Sequence, residues 1–157
     1  MIIRVKPILL LIFIISGLKA FPQQDYYWVG GTGNWDNLAH WSDVSGGSYP
    51  SASFSSLPGP ADNVFFNDAS FNSPNDTVTL YSTVEIHDMM WENYQDTVTF
   101  FGPGGLFIRG SLQFCAKMRV KNQGDTRFLS NDTETITMNG NWIPASCFFF
   151  GDGTWNL

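Results

Sequence analysis

This 157-residue chain contains two histidines, whose side chains suit metal binding or proton transfer. His40 stands before Trp41 and His87 before Asp88, in segments that share no pattern. A zinc site needs several ligands at the spacing of a helix or a hairpin, and neither histidine has such neighbours. We therefore predict no metal site at these positions and expect both rings to be structural or exposed.

Sequence motifs that hold nucleotides or activate a nucleophile are missing as well. Gly31-x-Gly33 lacks the third glycine and the following helix of a dinucleotide-binding loop. The segment from Phe21 to Ile108 contains neither Lys nor Arg, which excludes a lysine-bearing phosphate loop there. The chain also has no Gly-x-Ser-x-Gly motif of the kind that presents a nucleophilic serine.

Carboxylates are the groups with the most remaining catalytic potential. Asp88, Glu92 and Asp96 could cluster, as could Asp62 and Asp68, and glycoside hydrolysis requires such a carboxylate pair. Most acidic residues, however, adjoin Asn, Gly or Pro, where aspartate commonly forms turns. Turn carboxylates also suit calcium, a hard cation, which is the one cofactor left open. We predict no catalytic residues and a protein that is not an enzyme.

Residues 1–20 have the pattern of a secretory signal peptide. Arg4 and Lys6 precede a short apolar run over 8–15, and Ala20 is the predicted cleavage residue. The run is too short to cross a bilayer comfortably, so a retained membrane anchor is the weaker alternative. We expect a protein that is secreted or lies on the outer cell surface, with no membrane span after cleavage.

Charge is unevenly distributed along the chain. There are 8 basic and 14 acidic residues, and without Arg4, Lys6 and Lys19 the net charge is 5 minus 14, or −9. The remaining basic residues all fall within 109–127: Arg109, Lys117, Arg119, Lys121 and Arg127. Nucleic acids and anionic membranes repel so acidic a protein, so neither is predicted as a partner.

Short segments of alternating apolar residues, bounded by Gly, Pro, Asn or Asp, predict an all-β fold. The pentapeptide 76–80 (DTVTL) recurs as 96–100 (DTVTF), and 135–138 (TITM) repeats the alternation of Thr with apolar residues. A strand-rich repeat of about 20 residues is typical of a solenoid, in which successive coils stack. We predict a right-handed parallel β-helix over 72–157, with a β-sandwich as the alternative.

The end of such a stack needs a cover, and the aromatic segment 21–71 is the candidate N-terminal cap. A glycine-rich turn over 30–33 allows Trp28, Trp35 and Trp41 to fold over the first coil. Alternatively, these three tryptophans form a platform that stacks on sugar rings. The predicted partner is an extracellular glycan, or the surface of a host cell or a neighbouring cell.

The segment 147–157 has the pattern of two strands joined by a turn. No polar segment follows to close the stack, and an open sheet edge tends to pair with other chains. We expect the solenoid to be truncated here and the chain to be the front part of a longer protein.

Three motifs of the first half carry a resemblance to known proteins: 26–35 (YYWVGGTGNW), 40–42 (HWS) and 58–66 (PGPADNVFF). They resemble the opening of large secreted surface proteins of Bacteroidetes-type bacteria, and the strands that follow are similar to the repeats of autotransporter passenger domains. The resemblance implies a parallel β-helix with an adhesin-like, non-enzymatic role. The alternatives are a carbohydrate-binding module and the first part of a β-helical enzyme that degrades polysaccharides.

Two covalent modifications are also considered. Cys115 and Cys147 are the only cysteines, and an exported protein could join them in a disulfide, with two buried thiols as the alternative. Their separation in sequence is not a whole number of the coils that the repeat predicts, so direct stacking of the two is not expected. Thr77 and Thr97 stand in Asp-Thr-Val sequences that resemble an O-glycosylation motif of exported Bacteroidetes proteins, although strand composition explains them equally well.

Overall fold

A computed structural model describes residues 22–92, 94 and 96–157 of the chain. The predicted signal peptide, 1–20, lies outside the described residues. Fifteen strands and two short 3-10 helices make up the regular structure of these described residues. The strands are β1 (Asp25–Trp28), β2 (Gly33–Asn34), β3 (Trp41–Ser42), β4 (Asn63–Phe66), β5 (Thr77–Thr79), β6 (Val84–Ile86), β7 (Met89–Trp91), β8 (Thr99–Gly102), β9 (Leu106–Ile108), β10 (Leu112–Gln113), β11 (Arg119–Asn122), β12 (Thr126–Leu129), β13 (Thr133–Thr137), β14 (Cys147–Phe150) and β15 (Thr154–Asn156). The 3-10 helices span Leu38–His40 and Asp68–Ser70.

The strands form three sheets that run along a β-solenoid of about 4 turns. Sheet A has the order β15-β13-β10-β7-β4-β1-β3, sheet B the order β11-β8-β5-β2, and sheet C the order β14-β12-β9-β6. Strands β5 to β7, β8 to β10 and β11 to β13 each form one coil, with one strand in sheets B, C and A in turn. The predicted β-solenoid is therefore confirmed, and the β-sandwich alternative is wrong.

The stacking register differs from the sequence repeat. The recurrence of 76–80 at 96–100 predicts that Val78 stacks on Val98, but Val78 pairs with Phe100, and Phe100 then pairs with Val120. This shift from position 98 to position 100 keeps the same side chains facing inward, because strand residues alternate between faces with period two. The third unit does not continue this column, because Ile136 lies in sheet A, paired with Leu112.

One turn within a coil, at the end of β8, packs so closely on the preceding coil that it requires glycine. Gly102 has φ +138°, and a Cβ atom there would overlap the backbone carbonyl of Leu80 in the preceding coil. An L side chain is disfavoured at this φ for steric reasons alone, and the neighbouring backbone cannot move aside cheaply. Successive coils therefore approach most closely where no side chain separates them.

The segment 22–71 belongs to the same packing unit as the coils. Strand β1 pairs parallel with β4 and antiparallel with β3, which closes sheet A at that side, and β2 extends sheet B beyond β5. One hydrophobic cluster runs from Tyr26 to Ile136 without a break at residue 71. The aromatic segment is thus the first turn of the solenoid as well as its closed end.

No helix in the described part of the chain is both long and apolar enough to span a bilayer.

Candidate functional site

The three tryptophans predicted as a sugar platform are wholly interior. Trp28, Trp35 and Trp41 are each 0% exposed. The ring of Trp41 packs edge-on against the other two, with centroids 5.1 Å from Trp28 and 4.8 Å from Trp35. A ring buried on both faces has no surface left for a pyranose, so the prediction of carbohydrate binding by these three residues is wrong. Their burial closes the first turn of the core.

Hydrogen bonds hold two of these three rings in place. The indole nitrogen of Trp28 donates to the Gly31 carbonyl at 2.7 Å, and that of Trp41 donates to the Trp35 carbonyl at 3.0 Å. The glycine-rich turn therefore supplies an acceptor to the first ring, which is the positioning role that the sequence predicts for it. Satisfying a buried donor in this way avoids the penalty of leaving it unpaired.

His40 is part of the same interior cluster. Its ring stacks on Trp28 with centroids 4.5 Å apart, and its Nδ1 lies 2.6 Å from the Val29 carbonyl oxygen. Burial lowers the pKa of His40 below the ordinary value of 6.5, and the hydrogen bond to Val29 raises it in part. The imidazole is thus held neutral, as Nδ1–H donor to Val29, in agreement with the structural role predicted for it.

Asp76 forms a polar link between the first turn and the next coil. The carboxylate is buried, at 7% exposure, and accepts hydrogen bonds from the Thr32 hydroxyl at 2.8 Å and the Asn72 and Ser73 amides at 2.8 and 3.0 Å. Thr32 belongs to the first turn, 22–71, whereas Asn72 and Ser73 lie just before Asp76 in the loop that leads into β5, so the Thr32 bond joins the two parts. This aspartate therefore has a structural role.

Two carboxylates of the predicted sets, Asp62 and Asp88, accept hydrogen bonds from backbone amides. Asp62 accepts hydrogen bonds from the Gly59 and Gln24 amides, as a turn aspartate does. Asp88 accepts a hydrogen bond from the Ser111 amide at 2.7 Å. His87 Nδ1 lies 3.0 Å from Asp88 Oδ1, but the two atoms do not form a hydrogen bond. Within 22–92, 94 and 96–157, no group of three or more His, Cys, Asp or Glu is placed to hold a metal ion.

An open depression of about 540 Å³ brings together two acids from different predicted sets, Asp68 and Glu92. Gln113, Asn67 and Ser45 also line it, so the depression is polar. Asn67 is committed to its own turn, because its side chain accepts from the Ala69 amide and donates to the Ser45 hydroxyl.

The two cysteines are free thiols on different sheets. Cys115 is buried just after β10 of sheet A, whereas Cys147 is exposed in β14 of sheet C. The suggested disulfide is therefore absent from the structure, because the solenoid places the two residues on separate faces. The alternative of two buried thiols holds for Cys115 and is wrong for Cys147. Desolvation raises the pKa of the Cys147 thiol.

The two threonines of the suggested glycosylation motif do not occupy equivalent positions. Thr77 opens β5 and pairs with Thr99, and its hydroxyl donates to the Asn75 carbonyl at 3.4 Å. Thr97 lies just before β8. Both side chains are half-buried, and glycosylation of either remains a prediction.

The outer face of sheet C carries a column of side chains in register. Glu85, Phe107, Arg127 and Phe148 occupy successive rungs. The Arg127 guanidinium lies between two rings, 4.7 Å from the centroid of Phe107 and 5.9 Å from that of Phe148. Cations and aromatic faces attract each other, so the two rings hold the Arg127 guanidinium in place. Arg109 is likewise engaged, in an ion pair with Glu85.

A second grouping of aromatic and basic residues lies at the edge of sheet B. Strand β11 is an edge strand, and segment 139–143 passes beside it without pairing as a strand. A groove of about 350 Å³ lies between them. Trp142, the most exposed aromatic side chain of the described residues at 71%, lines this groove together with Arg119 and Lys121.

The segment beside this groove is firmly anchored. The side chain of Asn139 donates to the Phe114 carbonyl at 2.7 Å, and that of Asn141 donates to the Cys115 carbonyl at 2.9 Å. Asn139 and Gly140 have φ of +46° and +85°, so the chain turns sharply before Trp142. The tryptophan therefore projects from a fixed turn.

Sequence reasoning missed the residues of this groove. Two signals were available: Trp142 follows the turn-forming triplet 139–141 and lies shortly before Pro144, which disfavours a regular strand. The basic residues at 119 and 121 alternate on one strand, which places both on its outer face. What was lacking was the register that brings the two segments together.

No protein-family model matches the sequence, and searches of curated proteins and of solved structures gave no match either. The kinship suggested by the opening motifs therefore stays an expectation.

Proposed function

We propose that the chain is a secreted, non-enzymatic structural or adhesin-like module that acts at the outer cell surface. The observation that carries the proposal is the rod-like stack of coils, which forms three sheets of mainly parallel strands. Buried tryptophans close the first turn of this stack. A closed first turn suits a module that begins a stiff extension, because a solenoid needs a terminal repeat that shields its core.

The outer faces of the solenoid support an adhesive role. On sheet C, aromatic, basic and acidic side chains line up in register along the rod, as the column from Glu85 to Phe148 does. Such a face presents the same spacing of about 4.8 Å from rung to rung, so it can offer a repeated set of contacts to an extended partner. The signal-peptide pattern of residues 1–20 supports delivery to the outside.

The location and size of the native polypeptide test the proposal. An antibody against residues 50–90 is applied to fractions of the producing cells and to the medium, with a variant lacking 2–20 as control. We expect the protein on the surface or in the medium, and retention of the control variant inside. Equal retention of both proteins in the cytoplasm would contradict the proposal.

Adhesion itself needs a second measurement. Cells that display the protein should attach to a host-cell or glycan-coated surface more than cells in which the gene is deleted. Equal attachment, with the protein present on the surface, would contradict the adhesive part and leave a structural module.

A further inference from the structure

We propose that the groove between β11 and segment 139–143 binds an anionic oligosaccharide, one whose sugar rings carry carboxylate or sulfate groups. This goes beyond the role proposed above, since it names a ligand class and a site and does not depend on where the protein is located. The proposed site consists of Trp142, Arg119 and Lys121.

The aromatic part of the site is Trp142. Four of the other tryptophans, Trp28, Trp35, Trp41 and Trp91, are at most 1% exposed, whereas Trp142 is 71% exposed. A flat indole face packs well against the C–H face of a pyranose ring, and its N–H offers a donor to a hydroxyl. Exposing so large an apolar ring to water is unfavourable in itself, and a bound sugar ring would relieve that exposure.

The anchoring of segment 139–143 makes the ring a ready contact. Asn139 and Asn141 tie the turn to the carbonyls of Phe114 and Cys115, at the end of β10. Because these bonds form within the protein alone, the turn does not have to be ordered at the moment of binding. Preorganisation of this kind reduces the entropic penalty of association.

The basic part of the site determines the charge of the ligand. Arg119 and Lys121 are exposed on β11 and line the same groove as Trp142. The arginines that form ion pairs in the described residues are Arg109 and Arg127, with Glu85 and Asp125. The groove thus concentrates positive charge on a protein whose segment 21–108 has no basic residue. An acidic sugar gains from that charge, and a neutral sugar does not.

The shape of the groove favours a sugar over an acidic peptide. A peptide commonly binds a sheet by adding a strand to its open edge. Residues 140–142 line the other side of the groove beside β11, so an added strand would have to fit between the two. The volume of about 350 Å³ instead suits one or two rings held between the indole and the cationic side chains.

The experiment measures binding of short oligogalacturonates to the protein produced from the full sequence, by calorimetry and by tryptophan fluorescence. Cello-oligosaccharides of equal length are the neutral comparison, and polyglutamate is the acidic peptide. We expect binding of oligogalacturonate that weakens as salt is raised, and at least about tenfold weaker binding of both comparison ligands.

Variants assign the binding to the groove. Trp142→Ala should weaken oligogalacturonate binding at least about tenfold, and Trp142→Phe should retain part of it because an aromatic face remains. The double change Arg119→Gln and Lys121→Gln should weaken binding and reduce its salt dependence. Tyr81→Ala removes another exposed aromatic ring, which is 59% exposed and lies outside the groove, and it should leave binding unchanged.

Three results would overturn the proposal. The first is no binding of oligogalacturonate at millimolar concentration. The second is equal binding of the neutral sugar, which would remove the role of charge. The third is equal binding of polyglutamate that Trp142→Ala does not alter, which would identify a general attraction for acidic chains.

Discussion

The first turn of the solenoid, 22–71, and the later coils, 72–157, use opposite means to build one core. In the first turn, large rings meet edge to face, and two indole nitrogens donate to backbone carbonyls. In the later coils, apolar side chains repeat in register from rung to rung, as in the column Ile86, Ile108 and Phe128. The first arrangement closes a stack, and the second extends it.

The two regions also differ in their outer surfaces. The first turn has no basic residue and buries its tryptophans, whereas the later coils carry Arg119, Lys121 and the exposed Trp142. A terminal repeat must cover the core, so its aromatic residues are used inside. The tryptophans of the first turn are thus all structural, whereas the later coils bury Trp91 and expose Trp142.

The sharpest contrast between the regions is expected from removing one tryptophan in each. Trp35→Ala should lower the free energy of unfolding by about 3–5 kcal/mol, because the ring is fully buried. Trp142→Ala should change it by no more than about 0.5 kcal/mol. Denaturant titration of the two variants checks both values. A small loss for Trp35→Ala would contradict a closing role for the first turn.

A milder substitution at the same position refines this prediction. The indole nitrogen of Trp35 has no hydrogen-bond acceptor in the described part of the chain. Trp35→Phe therefore loses ring volume and no hydrogen bond, so we expect a smaller loss of stability than for Trp35→Ala. An equal loss of stability for Trp35→Phe and Trp35→Ala would show that a phenyl ring cannot replace the indole ring at this position.

Two glycines test how tightly the later coils are stacked. Gly102→Ala should destabilise the protein by about 3 kcal/mol, because the new Cβ meets the backbone of Leu80 at a φ unfavourable for alanine. Gly140 also has a positive φ, +85°, but no atom lies within 4 Å of an added Cβ. Gly140→Ala should therefore cost only about 1 kcal/mol. Equal losses in thermal unfolding would contradict the close approach of coils at Gly102.

The polar link between the regions is expected to have the next largest effect. Asp76→Ala leaves the Thr32 hydroxyl and two backbone amides without their acceptor, which should cost about 2–3 kcal/mol. Thr32→Val removes one of the three donors to Asp76 and leaves the Thr77 amide without its acceptor, so it should cost less than Asp76→Ala. If Asp76→Ala unfolds at the same denaturant concentration as the unchanged protein, the two regions are not joined through this carboxylate.

The stability of the first turn should depend on pH through His40. Because burial lowers its pKa below 6.5, the unfolded chain takes up the proton first as the pH falls. The stabilisation is therefore complete above about pH 6.5 and is lost as the pH drops below it. His40→Gln should lower stability at every pH and flatten the slope between about pH 7 and pH 5. An unchanged slope would contradict a buried neutral imidazole.

Thiol labelling of the two cysteines is expected to give the smallest effect. It distinguishes Cys147 of sheet C from Cys115, which follows a strand of sheet A. A maleimide should modify Cys147 in the native protein and Cys115 only after unfolding, because Cys115 is buried. Labelling of Cys147 should speed up at alkaline pH, since desolvation raises the pKa of its thiol. Absence of labelling in both states without a reductant would indicate a disulfide.

Sequence patterns predicted the solenoid but not its register. Alternation over short strands and the recurrence of 76–80 at 96–100 indicated stacked coils, which the structure has. The repeat nevertheless misplaced Val98, because turns of unequal length let Val78 pair with Phe100 instead. Local sequence determines which face a side chain takes, whereas its neighbour in the next coil depends on every turn between them.

The same reason explains why the candidate site escaped prediction. Trp28, Trp35 and Trp41 were equally compatible with burial and with sugar binding until the first turn was seen to enclose them. Trp142 and Lys121 belong to segments that are distant in sequence, and only the pairing of the coils places them along one groove. Whether a side chain is exposed depends on the residues packed around it, and a single sequence does not identify those residues.

The most direct test of the closed first turn is hydrogen exchange of the native protein, followed by mass spectrometry of its peptides. We expect amides in β1 and β4 to exchange as slowly as those in β7 and β9, because one continuous core protects all four strands. Segment 139–143 should exchange faster than these strands. Rapid exchange in β1 and β4 while β7 and β9 remain protected would show that the aromatic segment is only loosely attached. It would contradict a closed first turn that shares one core with the later coils.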